Sequence, residues 1–350
     1  MNTGDFSIRK RTDAFAALGS VMREAASGSA AGHAALFAEL IDSVHLSNPW
    51  FTPDFVRLAL SSLGNALTPE KLDRWLSAYP ELNEEREPVT VGVVMAGNIP
   101  MTGFHDLLCV LITGNRLQAR LSSKDDLLIK AVAQTLTGIE PAFAPFIELT
   151  DGVLKGFDMV IATGSNNTSR YFEYYFRKKP SIIRRNRNSM AILDGKETDA
   201  ELELLGDDIF AYFGLGCRNV SKLFLPQGYD VAALPGHWGR YASLLSHYKY
   251  AVNLDHNRAV MTVNREPFGD GGFILLRESA SLTPPLAVLH YEYYDDRERP
   301  LREAESLRDV LQCVAGHGHL PLGTTQQPEL WDYADNIDTL RFVLKINSIL

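Results

Sequence analysis

Short β-branched runs closed by glycine and followed by helix-forming stretches fill the chain from Val89 onward, and they constrain its fold more than any other feature. VTVGVVMAG (89–97) and MVIATG (159–164) each have the apolar density of a strand buried on both faces. Between and after them, 117–121 reads as a strand, 127–136 as a helix and 171–176 as another helix. That alternation predicts βαβ units around a parallel sheet. MAILDG (190–195), KLFLP (222–226), FILLRE (273–278) and LAVLHYEYY (286–294) continue the strands at wider spacing, so a second α/β lobe is expected from about Met190. Before all of these the pattern is helical. Phe15, Leu18 and Met22 recur at three to four residues, and Asn48-Pro49 and Thr52-Pro53 interrupt the run. The expected organisation is a helical segment over 1–88, a first α/β lobe over 89–189, and a second lobe with a C-terminal tail over 190–350.

Composition narrows the function classes. With 350 residues and 45% hydrophobic side chains the chain can fill two cores, and 22% charged residues exclude a disordered or fibrous polymer. Basic residues number 34 against 43 acidic ones, a net charge of −9. Such a chain has no global attraction for nucleic acid or anionic lipid. Three separated cysteines exclude a disulfide framework or zinc cluster, and the nine histidines form no closely spaced ligand set, so no metal is expected. No apolar leader and no membrane span are visible, and the expectation is a cytoplasmic protein.

Four loops and one basic run carry the candidate chemistry. In AGNIPMTGFHD (96–106) a strand runs through Gly97 and Asn98 into a helix start, an ordinary turn unless a nucleophile points at Asn98. ATGSNNTSR (162–170) offers the side-chain donors of Thr163, Ser165, Asn166 and Thr168 beside Gly164 and the backbone N–H groups of a helix start, the equipment of a helix cap and of a pyrophosphate site alike. GLGCRNVSK (214–222) sets Cys217 among glycines beside Arg218, a cation that would favour the thiolate. Cys109 and Cys313 lie in apolar runs and read as structural thiols. REPFGDGG (265–272) is by itself a turn with a solvated Glu266. The run RKKPSIIRRNRN (177–188) holds six cations and no acid, and reads as a solvated face, a phosphate-binding wall or a nucleic-acid patch. His105 and His256 read as capping or surface residues before acid–base groups.

Taken in order, AGNIP, ATGS, GLGCRNVSKLFLP and REPFG resemble the aldehyde dehydrogenase superfamily, and within it the acyl-CoA reductases related to the long-chain acyl-protein thioester reductase of bacterial luminescence. The resemblance runs from about Val89 to the C-terminal LWDYADNIDTLRFVL, with SSKDD, TGSNNTSRYFEYYF and the cysteine segment its most specific parts. It implies an aldehyde dehydrogenase-like fold of two α/β lobes. A Rossmann-like nicotinamide-cofactor domain would occupy 89–189 and a catalytic cysteine domain 190–350, after the N-terminal helical segment. It also implies Cys217 as nucleophile, Asn98 in the oxyanion hole, Thr163, Gly164 and Ser165 at the cofactor, and Glu266 on the nicotinamide ribose. Ser122 stands where many relatives carry a lysine that touches the adenine ribose, with Lys124 or the basic run as substitutes. A cationic environment there favours NADP, with NAD as the alternative.

The implied reaction is reduction of an acyl-CoA or acyl-protein thioester to an aldehyde through an acyl-cysteine. The segment matching the relatives' water-activating glutamate, SIIRRNRNSMAIL, contains no acid. That favours thioester reduction over a CoA-independent aldehyde dehydrogenase, which would need Glu173 or Glu278 as its base. A non-enzymatic binding module on the same fold is the third reading, disfavoured by the net charge and by the presence of Cys217, Asn98 and Glu266. A homodimer is the expected assembly.

Overall fold

The computed structural model describes residues 6–84 and 86–345, which divide into two compact units, 1–186 with 327–350, and 187–326. The first opens with four helices, α1 (Ile8–Ala26), α2 (Ala34–Ser43), α3 (Pro53–Ala66) and α4 (Pro69–Leu76). Phe15, Leu18 and Met22, the residues whose spacing predicts α1, are fully buried. Thr52-Pro53 does not break a helix but starts one: Thr52 is the N-cap of α3 and Pro53 its first residue, where a missing N–H costs nothing. The helices are continuous with the lobe that follows. α1 packs on α5 and α6, and Arg11 Nε donates to the carbonyl of Ile112 at 2.9 Å. Burial lowers the Arg11 pKa to about 10.

The lobe itself runs β1 (Thr90–Val94), α5 (Phe104–Ile112), β2 (Arg116–Arg120), α6 (Asp126–Ile139), β3 (Ile147–Thr150), β4 (Met159–Thr163), α7 (Asn166–Phe176) and β5 (Ser181–Arg184). Its five strands lie in the order β3-β2-β1-β4-β5, every pair parallel. Val91 pairs with Leu117 on one side and Met159 on the other, and all three are buried, as the sequence pattern requires of central strands. The two edges, β3 and β5, are four residues long, and β5 lies inside the basic run.

The second unit contains β6 (Asn188–Ile192), α8 (Asp199–Phe210), β7 (Val220–Pro226), α9 (Leu234–His237), α10 (Tyr248–Asn264), β8 (Gly269–Asp270), β9 (Leu275–Glu278), β10 (Val288–Tyr294), α11 (Glu298–Ser306) and β11 (Leu311–Gly316). Its sheet has the order β11-β6-β7-β10-β9-β8, parallel except for the short β8. Beneath it Met190, Phe224, Tyr294 and Leu311 form a buried cluster.

The tail departs from the expected organisation. Residues from 327 onward, expected with the second lobe, belong to the first unit, where α12 (Thr339–Lys345) packs on α5. The reason is a buried polar knot. Trp75 Nε1 donates to the Tyr333 hydroxyl at 2.7 Å, and the Tyr79 and Tyr333 hydroxyls are 2.6 Å apart. Lys71 pairs with Glu329 at 2.8 Å, and the ring of His105 meets the Leu330 carbonyl at 2.9 Å. Tyr333→Phe strips this knot of its shared hydroxyl and leaves the indole N–H of Trp75 buried without that acceptor. It is expected to cost about 1–3 kcal/mol, read as a lower urea midpoint at unchanged m-value.

Candidate functional site

In a parallel sheet every strand ends at the same edge, and in the first unit the strand order turns outward between β1 and β4. Loops at such a switch point form a crevice suited to ligands. Asn98 follows β1, Ser122 and Lys124 follow β2, and Thr163 ends β4 with Gly164 and Ser165 after it, so three neighbouring strands bring these residues to one edge. Asn98 is exposed in the turn before α5. Gly97 beside it has no room for a side chain, because a Cβ there would lie 2.6 Å from Ser122 Oγ. Ser165 is the N-cap of α7. Its Oγ accepts from the Thr168 N–H at 3.3 Å and lies 2.9 Å from the Thr168 hydroxyl. A helix start with two hydroxyls and open backbone N–H groups suits a phosphate, and Lys124 reaches into solvent nearby along the edge. This donor set suits the pyrophosphate of a dinucleotide.

The basic run does not form one surface. Arg184, at the end of β5, is buried in an ion pair with Asp106 of α5 and donates to Thr339 Oγ1 at 2.7 Å. Arg185 pairs with Glu173, and Arg187 donates to the carbonyls of Arg308 and Leu311 at 3.0 and 2.9 Å. Arg184, Arg185 and Arg187 are thus tied to the fold. The earlier part of the run stays outward, with Arg177 lying over the Tyr174 ring, and Arg185 is exposed as well.

In the second unit, Cys217 is exposed on a turn between α8 and β7. The backbone reaches it through Tyr212, Phe213 and Gly214 at φ of 52°, 58° and 75°. Left-handed conformation in two consecutive buried aromatic residues is strained, at about 1–3 kcal/mol each, and persists only where surrounding contacts impose it. Phe213 packs on the rings of His247 and Tyr250, and both flanks of the segment are held by Asn219, which is 3% exposed. Its Nδ2 donates toward the carbonyls of Asp208, Ile209 and Ala211 at 3.0, 3.4 and 2.9 Å, and its Oδ1 accepts the N–H of Gly216 at 2.8 Å. From the other side the buried Ser189 Oγ donates to the Cys217 carbonyl at 2.9 Å and accepts the Cys313 N–H at 3.2 Å. Cys313 Sγ lies 3.1 Å from the same hydroxyl.

Arg218, expected to supply a cation to the thiolate, donates through Nε to the carbonyl of Thr325. The 323–325 segment is held in turn by Asp208, which accepts from Gly323 N, Thr325 N and Thr325 Oγ1 at 2.7–2.9 Å. Burial pushes the Asp208 carboxyl up despite these bonds. Glu266 follows α10, whose cap Arg265 is also left-handed at φ 57°. Its carboxylate is not simply solvated: Arg277 of β9 holds it at 3.0 Å, which fixes its orientation while leaving oxygen lone pairs able to accept hydroxyls.

Among the other candidates, Cys109 is buried and burial pushes its thiol well up, in keeping with a structural role. His105 is enclosed by the Trp75 and Tyr333 rings, and burial lowers its pKa, so it is a packing residue and not a surface one. His256 is exposed on α10.

With this geometry in place, the acyl-CoA reductase (LuxC) family matches residues 57–232, half of the chain and the span that contains Asn98, Ser122, Thr163 and Cys217. The chain belongs to the LuxC acyl-CoA reductase family. No curated protein matches it by sequence. Solved aldehyde dehydrogenases share its fold. ALDH21 from Physcomitrella patens, in complex with succinate, matches at 13% identity over 97% of this chain and 87% of its own, with a TM-score of 0.62. The AldA indole-3-acetaldehyde dehydrogenase of P. syringae, in complex with NAD+, matches at 16% over 90% and 73%, with 0.60. An NADP-dependent glyceraldehyde-3-phosphate dehydrogenase from Bacillus halodurans matches at 14% over 88% and 73%, with 0.57. This LuxC-family chain is therefore an oxidoreductase of aldehyde or acyl groups on the aldehyde dehydrogenase fold.

Asn219 and Arg277 escape sequence reasoning because their partners are backbone atoms and a side chain brought close only by folding. Asn219→Ala is expected to destabilise the second unit by about 2 kcal/mol through the carbonyls it orphans. Asn219→Asp is expected to be worse, since it turns a carboxylate toward those carbonyls; urea unfolding of both variants checks the order.

Proposed function

We propose that this protein is an NADP-dependent fatty acyl thioester reductase that forms an aldehyde through an acyl group carried on Cys217. The observation that carries this reading is an exposed cysteine held on a strained, side-chain-clamped turn in a chain of the acyl-CoA reductase family. The Cys217 thiolate attacks the thioester carbonyl of an acyl-CoA or acyl-protein donor. The resulting oxyanion takes hydrogen bonds from the Asn98 side chain and from backbone N–H groups near Cys217. Collapse expels the donor thiolate, which takes up a proton, and leaves the acyl group on sulfur. The reduced nicotinamide, when bound, supplies the hydride that converts this thioester to aldehyde and returns Cys217 to the thiolate. Thr163, Gly164 and Ser165 hold the pyrophosphate, Ser122 and Lys124 the adenosine end, and Glu266 the nicotinamide ribose. Lys124 and the cations that remain outward in the basic run favour the 2′-phosphate of NADP over NAD.

Reduction over hydrolysis rests on the lack of a carboxylate in the segment that matches the relatives' water-activating glutamate. The segment 181–192 has no acid, Arg184 within it is buried in its ion pair, and Glu173 is occupied by Arg185. A cytoplasmic, homodimeric enzyme completes the proposal; among the described residues no helix is long and apolar enough to cross a membrane.

Intact-protein mass after mixing with a panel of saturated acyl-CoA donors, without reduced cofactor, tests it. One acyl group is expected on the wild type, persisting until NADPH is added and absent from Cys217→Ala. An unmodified wild-type mass with every donor, in protein that still binds NADPH, would remove Cys217 from the reaction.

A further inference from the structure

Asp125 stands at the N-cap of α6, where an aspartate ordinarily accepts the first backbone N–H groups of its own helix. Here its side chain makes no such bond. It turns instead to the neighbouring loop, where Oδ2 accepts the N–H of Met101 at 2.7 Å, with the N–H of Thr102 a second donor. Asp125 is 3% exposed, and Oδ1 is buried without a hydrogen-bond partner. Desolvation pushes the carboxyl well above the usual carboxylate range. A buried acid that forfeits its own helix cap and leaves one oxygen orphaned is costly, so its position calls for a return elsewhere.

The loop it grips is the turn that carries Asn98. Met101 is buried and left-handed, at φ 64°, a conformation that non-glycine residues hold only under constraint. Thr102 Oγ1 closes the turn onto the Ile99 carbonyl at 2.7 Å. On the other flank Gly97 passes so close that a Cβ there would lie 3.2 Å from Asp125 Cβ. The SSKDD loop is itself anchored, since the Asp125 N–H donates to the Ser122 carbonyl at 3.0 Å and Asn48 Nδ2 donates to the Lys124 carbonyl at 3.1 Å. Asn98 thus projects from a turn whose two ends both rest on this loop.

We propose that Asp125 is a positioning residue, which locks the Met101 turn and thereby aims the Asn98 amide at the oxyanion of the acyl-transfer step. The inference rests on the assignment of Asn98 to the oxyanion hole in the preceding reading. A residue that acts only through Asn98 has nothing left to do once that amide is gone, which separates aiming from mere stabilisation.

The test is the single-turnover rate of Cys217 acylation in the full-length protein, read by quenched-flow intact mass with the acyl-CoA donor that labels the wild type fastest. Asn98→Ala is expected to slow acylation about 100-fold, the scale of one lost oxyanion donor, and Asp125→Ala about 10-fold. The double variant is expected to be no slower than Asn98→Ala alone. Asp125→Asn, which keeps an acceptor for Met101, is expected to recover most of the loss. NADPH binding reports that each variant is folded, and Asp125→Ser, too short to reach Met101 but still polar, replaces Asp125→Ala if that variant does not fold. Losses that multiply in the double variant, or an unchanged rate on losing the Asp125 carboxyl, would overturn the positioning role while leaving Asn98 in place. Full-rate acylation by Asn98→Ala would instead bring down the oxyanion assignment, and this inference with it.

Discussion

Parallel pairing of β1 with both β2 and β4 is the constraint on which the rest of the first unit depends. Parallel neighbours cannot be joined by a tight hairpin, so α5, α6 and α7 carry the chain back between β1 and β2, β2 and β3, and β4 and β5, and every strand ends at the same edge. The turn with Asn98, the loop with Ser122 and Lys124, and the cap of α7 are therefore neighbours at one edge although 24 to 67 residues separate them in sequence. Helix starts at that edge add backbone donors suited to an anion.

The second unit solves a different problem, holding an exposed thiol on a loop that would not adopt its conformation unaided. Two buried aromatics in left-handed geometry are retained because Asn219 satisfies carbonyls at the end of α8 and the N–H of Gly216 at once, while Ser189 pins the Cys217 carbonyl from below. The same economy appears in the first unit, where Asp125 leaves its helix uncapped to hold the turn beside it. In both places a buried polar side chain is committed to loop backbone, which fixes the geometry of that loop.

Ion pairing also explains why charge is a poor guide to surface here. Arg184 is as buried as a core residue because Asp106 and Thr339 receive its guanidinium, and Lys222 of β7 is fully buried against Glu292. A run of cations looks solvated in sequence because the acids that neutralise Arg184 and Arg185 lie on α5 and α7, outside the run. The edge strand β5 was hidden for the same reason. Likewise β3 is short and half-polar, the pattern of a strand with one neighbour, and it carries little of the apolar signal that marks β1 and β4.

What the sequence by itself determined is local. The β-branched runs at Val91 and Val160, the helical spacing of Phe15, Leu18 and Met22, and the loops bearing Asn98, Thr163, Cys217 and Glu266 are set by residues close together in the chain, so periodicity and turn chemistry reveal them. Their order carries the family. Only the tertiary structure decided that the tail returns to the first unit through the Trp75, Tyr79 and Tyr333 hydrogen bonds, that Arg277 holds Glu266, that Arg218 turns to Thr325, and that Asn219 and Asp125 govern the two loops. These are contacts between a side chain and atoms to which it is not adjacent in any repeating pattern. Their energies arise from burial and hydrogen-bond geometry, which exist only once the chain has folded.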